Sequence, residues 1–180
     1  INTLVGQRSA KTGDEPGITK TDQRLVLASD FYLFDTPGML WPRIFVPESG
    51  YNLAASGAVG KNAYDEEEVA YELIAKLKTD YPALMEARYP LGLSPEGWAQ
   101  THDDELLEAI GRKRGALAGG GKVNLQKAAE LVIADFRSQH LGRITLETPE
   151  QFAGWLKAGK QADAERAERG RRVEALAAGF

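Results

Sequence analysis

Phe31-Tyr32-Leu33-Phe34-Asp35-Thr36-Pro37-Gly38-Met39-Leu40-Trp41-Pro42 is an apolar run that closes on a carboxylate and then on a Pro-Gly turn. Its first four residues are aromatic or aliphatic, the pattern of a buried β-strand. Open α/β sheets present polar groups in this manner, at the carboxyl end of a strand on the rim of a ligand crevice. Immediately upstream, Arg24-Leu25-Val26-Leu27 is a second strand-forming run, and Ala28-Ser29-Asp30 between the two is a tight hairpin turn.

Farther upstream, Ser9 to Lys20 is a polar loop punctuated by Gly13, Pro16 and Gly17. It is too long for a simple connection, which makes it a candidate functional loop. Ile1-Asn2-Thr3-Leu4-Val5 has the pattern of the middle of an amphipathic helix that Gly6 ends, so we expect a piece of a longer protein. Downstream of Pro42, Ser49 to Ala55 predicts a short helix, and from Asp65 the pattern is helical almost throughout. A domain boundary is placed in Gly60-Lys61-Asn62-Ala63-Tyr64.

Asp65 with Glu68 is a helix-start pair, followed by Val69, Leu73 and Leu77 on one face as far as Tyr81-Pro82. Ser94-Pro95 opens another helix. Asp103 is expected to cap a third, with Leu106, Leu107 and Ile110 apolar and Gly111 as its stop. Asn124 caps a fourth that buries Leu125, Ala128, Val132 and Phe136. Thr148-Pro149-Glu150-Gln151 is a capping box for a short helix carrying Phe152 and Trp155, and Lys160 to Phe180 predicts a solvated tail helix. The expected fold class is α/β plus all-α, with an α/β part over 1–62, a helical domain over 63–149 and a helical tail over 150–180.

The chain has 180 residues, 43% hydrophobic and 27% charged, enough to bury a core and too apolar for a disordered protein. No apolar run approaches the ~20 residues of a membrane span, and the first residues lack the layout of a signal peptide. A soluble, cytoplasmic protein with no membrane partner is expected. The absence of Cys excludes disulfides and thiolate metal sites, and two histidines, His102 and His140, leave little for zinc. Any metal would be a hard, oxygen-bound cation such as Mg²⁺. The net charge of −4 conceals an asymmetry: residues 62–110 hold 3 Lys/Arg against 12 Asp/Glu, whereas residues 111–145 hold 7 against 2. A basic segment beside an acidic one marks an interaction surface.

Asp35-Thr36-Pro37-Gly38 matches the Asp-x-x-Gly element of GTPases, and Gly17-Ile18-Thr19 stands upstream across the hairpin, where the preceding GTPase motif belongs. In such a site Thr19 offers a hydroxyl to Mg²⁺ and Asp35 holds a Mg²⁺-bound water. The Gly38 amide meets the γ-phosphate where no side chain fits. The alternative is a hairpin ending in a type I or II turn, with Asp35 as a turn residue. Met39 stands where Ras-like enzymes carry the Gln that orients water, and a thioether cannot do so. It either packs beneath the loop or marks an enzyme whose catalytic group comes from elsewhere. Arg112-Lys113-Arg114, beside Gly119-Gly120-Gly121 and followed by Lys122, Lys127, Arg137 and Arg143, predicts a phosphate-backbone surface without aromatic stacking platforms; a solvated helix face is the alternative. Asp65-Glu66-Glu67-Glu68 is a helix start favoured by the macrodipole. His102 and His140 are expected at the surface, and Trp41 and Trp98 as core anchors between domains.

Lys11-Thr12-Gly13-Asp14-Glu15-Pro16-Gly17-Ile18-Thr19 together with Leu33-Phe34-Asp35-Thr36-Pro37-Gly38-Met39-Leu40-Trp41-Pro42 closely resembles the ribosome biogenesis GTPase A family, the YlqF-like circularly permuted GTPases. The likeness extends through Ala109-Ile110-Gly111-Arg112-Lys113-Arg114-Gly115 to Gly142-Arg143. It implies the last part of a P-loop GTPase domain, comprising a helix end, a β-hairpin and the switch regions, followed by a helical C-terminal domain. It further implies GTP hydrolysis in assembly of the large (50S) ribosomal subunit. The implied GTP-binding residues are Gly17, Thr19, Asp35, Pro37 and Gly38, with Thr19 and Asp35 serving Mg²⁺. The implied contacts to large-subunit rRNA are Arg112, Lys113, Arg114, Lys122 and Lys127. In the family a guanine-reading motif and the P-loop precede the Thr motif. The P-loop is therefore expected just before Ile1, and the 180 residues alone are expected neither to bind nor to hydrolyse GTP appreciably. Two other readings are a non-enzymatic RNA-binding module with a vestigial nucleotide site, and a permuted GTPase acting on another RNA.

Overall fold

The computed structural model describes residues 22–35, 44 and 46–177, without the side chains of Gln23, Asp35 and 172–177. Strands β1 (Gln23–Ala28) and β2 (Phe31–Asp35) form an antiparallel hairpin. The register pairs Gln23 with Asp35, Arg24 with Phe34, Leu25 with Leu33 and Val26 with Tyr32, and an irregularity before Ala28 leads into the Ser29-Asp30 turn. Strand alternation places Arg24, Val26, Tyr32 and Phe34 on one face, and the Arg24 guanidinium lies 4.6 Å from the centre of the Tyr32 ring. The sequence predicts a buried strand here, but Phe31 and Phe34 are more than 60% exposed. The reason is architectural: the described sheet has two strands, and no described helix covers either of these side chains.

The other main elements among the described residues are helices: α1 (Pro47–Ser56), α2 (Glu66–Asp80), α3 (Pro82–Arg88), α4 (Pro95–Gln100), α5 (Asp103–Arg114), α6 (Leu125–Arg137) and α7 (Pro149–Ala177). Helix α2 is the central pillar, packed by α1, α3, α4, α5 and α6. Asp65 caps it by accepting the Glu68 N–H at 3.0 Å. Its buried face is Val69, Ala70, Leu73, Ile74 and Leu77, the three-and-four spacing of one helix side. Around that face lie Met85, Tyr89, Trp98, Leu106, Leu107, Ile110, Val132 and Leu141, and Ala54 and Ala55 of α1 enter the same core. Trp98 is fully buried within this bundle, with its indole N–H donated at 3.0 Å to Glu86. The same carboxylate accepts the Gly92 and Leu93 amides, which closes the loop between α3 and α4.

Two helix limits differ from the sequence reading. Helix α5 starts with His102 as its N-cap residue, so Asp103 is the first helical residue; its carboxylate pairs with Lys78 at 2.8 Å. The helix also runs straight through Gly111 to Arg114 and ends at Gly115, whose φ of +73° is the left-handed cap that glycine adopts freely. Gly111 has a packing role. A Cβ there would lie 2.6 Å from a Val123 methyl and 2.9 Å from the Ala128 Cβ.

Asn124 caps α6 through the Lys127 N–H at 2.9 Å, as its position predicts. The box at α7 also forms, with Thr148 Oγ1 accepting the Gln151 amide and Gln151 Oε1 accepting the Thr148 amide. The expected short helix and tail are one helix of 29 residues, because nothing between Phe152 and Lys160 breaks the backbone ladder. Glu147, just before it, accepts hydrogen bonds from Ser49 and Asn52 and ties this segment to α1. Among the described residues, no helix is long and apolar enough to cross a membrane.

Candidate nucleotide turn and nucleic-acid interface

Asp35 is the last residue of β2, opposite Gln23, so the backbone delivers it to the sheet end that the sequence predicts. Gly17, Thr19, Pro37, Gly38, Met39 and Trp41 lie outside the described residues. The described part of this site is therefore the hairpin that carries Asp35, with the apolar face of Val26, Tyr32 and Phe34 beside it.

The basic cluster is assembled where α5 hands over to α6. After Gly115 the chain forms a narrow finger: Ala116 is fully buried, Leu117 bridges Val123, the Ala118 N–H bonds the Lys122 carbonyl at 2.7 Å, and the Asn124 N–H bonds the Ala116 carbonyl at 2.8 Å. Gly119-Gly120-Gly121 is the tip, and φ values of +76° and +77° at the last two explain why glycine stands there. A Cβ at any of the three would meet open space, so the tip is free on its outer side. Val123 at the finger's base packs over Gly111, so the close approach at that glycine seats the finger on α5.

Lys113, Lys122 and Lys127 are exposed around this finger and have no ion-pair partner among the described residues. Arg112 pairs with Glu108 one turn back at 2.6 Å. Arg114 is drawn inward, 3.8 Å from Asp135. Sequence reasoning missed Asp135, a carboxylate with a 7% exposed side chain that joins four elements of the chain. Arg88 grips it through Nε at 2.8 Å and a terminal nitrogen at 2.5 Å, the Tyr89 hydroxyl donates at 2.9 Å, and His140 Nδ1 lies 3.2 Å away. Burial opposes its charge, but the hydrogen bonds from Arg88 and Tyr89 outweigh burial and hold the carboxyl below its ordinary range. Burial, followed by the Asp135 charge, pushes the Tyr89 phenol well above its ordinary value. The one signal in the sequence was an acidic residue inside the apolar pattern of α6.

Arg137, placed by sequence among the cations near this cluster, has a different task. It donates to the Ala55 carbonyl at 2.9 Å, the Ala54 carbonyl at 2.6 Å and the Tyr64 hydroxyl, closing the end of α1. His102 is exposed as expected, and His140 is exposed but engaged by Asp135. Among the described residues no group of His, Asp and Glu is placed to hold a metal. The acidic first turn of α2 is a helix start, as its position predicts.

The family model of 50S ribosome-binding GTPases matches residues 1–109. The chain is 38% identical over 152 residues to ribosome biogenesis GTPase A of Bacillus cereus, covering 84% of this chain and 50% of that protein. It is 28% identical to ribosome biogenesis GTPase A of Thermotoga maritima, covering 84% of this chain and 52% of the relative. The GDP-bound structure of TM YlqF is similar in fold, with a TM-score of 0.51 at 21% identity over 83% of this chain and 54% of that one. The chain thus spans about half the length of the curated relatives it matches.

Proposed function

We propose, from the premise that this chain belongs to the 50S ribosome-binding GTPase family, that its protein binds GTP and Mg²⁺ at the turn after β2 and docks its helical bundle on large-subunit rRNA. The protein acts in the cytoplasm in assembly of the large ribosomal subunit and hydrolyses GTP in the course of that work. At the nucleotide, Thr19 and Asp35 serve Mg²⁺, while Gly17, Pro37 and Gly38 line the phosphates. This chemistry needs oxygen donors and close backbone approach, which those residue types supply. The motif order follows the circular permutation of the YlqF-like proteins.

One observation carries the rRNA half of the reading: Lys113, Lys122 and Lys127 stand exposed, with no ion-pair partner among the described residues, around a glycine-tipped finger on a chain that is acidic overall. Ammonium groups free of internal partners are available to phosphates, and the absence of aromatic platforms favours structured RNA read by shape. Arg112 and Arg114 can join them by giving up weak internal pairs, one exposed and one long.

Filter binding of the full-length protein to large-subunit rRNA across a salt series tests this. Replacing Lys113, Lys122 and Lys127 together by Ala should weaken binding and flatten the salt slope by about one unit for each phosphate that is no longer neutralised. An unchanged slope refutes the interface. For the nucleotide, Asp35→Ala should abolish Mg²⁺-dependent GTP hydrolysis in the same protein, and retained hydrolysis removes Asp35 from the site.

A further inference from the structure

Helix α7 completes a cavity of about 220 Å³ against α1 and α2, with no residue of the hairpin or the finger in its lining. Its walls are apolar and aromatic: Ala55 and Tyr51 from α1, Val69 and Leu73 from α2, Leu146, and Trp155 from α7. Its polar members are Glu48, Glu72, Asn52 and Lys76. Two of those are already engaged, since Lys76 pairs with Asp80 at 2.7 Å and Asn52 donates to Glu147 at 2.9 Å. Glu48 and Glu72 have no ion-pair partner among the described residues. Negative charge reaches the cavity wall at Tyr51, whose phenol is pushed above its ordinary value by Glu68 on the neighbouring turn of α2, then by burial, then by Glu72 of the lining. An apolar, aromatic-walled space with unpaired carboxylates at its rim suits a cation on a hydrocarbon stem: the stem takes the walls, the rings attract the charge, and the carboxylates pair with it. An anion would meet repulsion there, and a neutral apolar ligand would leave the carboxylates without a partner.

We infer that the cavity between α1, α2 and α7 binds a primary ammonium group carried on an aliphatic stem. The shared chemistry fits a free polyamine or the lysine side chain of a protein partner, and it gives α7 a ligand-binding role independent of nucleotide and rRNA.

The 180-residue chain is titrated by calorimetry at low ionic strength with spermidine, and separately with Nα-acetyl-lysine methylamide. Saturable binding is expected, weakened about tenfold by Glu48→Gln with Glu72→Gln and by Trp155→Ala. A control, Asp104→Asn with Glu105→Gln on the first turn of α5, should bind as the parent does. Tighter binding of spermidine assigns the site to a free polyamine, and tighter binding of the lysine amide assigns it to a protein side chain. Circular dichroism confirms that each variant is folded, and the two exposed glutamates allow the test without touching the core. Absence of saturation with both probes overturns the inference. So does equal weakening by the α5 control, since binding would then be diffuse attraction to an acidic surface.

Discussion

The hairpin β1–β2 and the bundle around α2 are both built from strongly apolar sequence, yet they dispose of that surface in opposite ways. In the bundle, Ile74, Leu77, Trp98, Leu107 and Ile110 are buried completely, and a paired carboxylate, Asp135, is tolerated because Arg88 and Tyr89 satisfy it. In the hairpin, Val26, Phe31 and Phe34 remain more than half exposed although their composition is that of a core. Two strands cannot bury both of their faces, and an isolated hairpin is marginal in water. Among the described residues the bundle thus buries its own apolar surface, whereas the hairpin leaves its apolar side chains open.

The largest expected effect tests the bundle's self-sufficiency at its charged centre. Asp135→Ala leaves Arg88 unpaired beside a buried Tyr89 hydroxyl and should cost about 3–5 kcal/mol in urea unfolding. The same carboxylate sets a pH dependence. Its folded pKa lies below the unfolded value of about 3.9, so its contribution is complete above about pH 4 and is lost as pH falls through the folded value. Asp135→Asn should flatten that acid limb. Next is the seat of the finger: Gly111→Val forces Val123 and Ala128 apart and should cost about 1–3 kcal/mol. It should also weaken rRNA binding beyond any loss of stability, whereas a neutral result would show that the finger is not seated through that contact. Asn124→Ala removes the α6 cap and should cost about 1 kcal/mol, read from the thermal midpoint. Smallest of all, Phe31→Ser or Phe34→Ser should move bundle stability by no more than about 0.5 kcal/mol. A larger loss would mean that the hairpin is part of the cooperative unit and would dissolve the contrast.

The helix starts at Asp65, Ser94, Asn124 and Thr148 were legible because a cap is a contact between residues three apart, and so are the amphipathic faces of α2 and α6. Gly111 was misread as a stop because glycine's local preference and its use for close approach look identical in sequence; the decisive neighbour, Val123, is twelve residues away. The short helix α3 escaped notice because Pro82 follows directly on Tyr81 and only Met85 of its residues is buried. The site was legible unevenly. The hairpin and the basic run stand in the sequence, but the division of the cations does not. That Lys113 has no ion-pair partner among the described residues while Arg114 faces Asp135 and Arg137 holds the end of α1 depends on residues 21 and more than 80 positions apart.

By itself the sequence determined the strand pair, the helical character of the long C-terminal part, most of the caps, and through residues 11–19 together with 33–42 the family, since all of these rest on short-range pattern or contiguous motif. Tertiary structure alone decided which charges are paired internally, why α5 runs through a glycine, and that α7 closes a cavity on α1 and α2. Those outcomes arise from groups that meet only when distant segments pack, and whether a side chain is paired, crowded or free is a property of its neighbours in space.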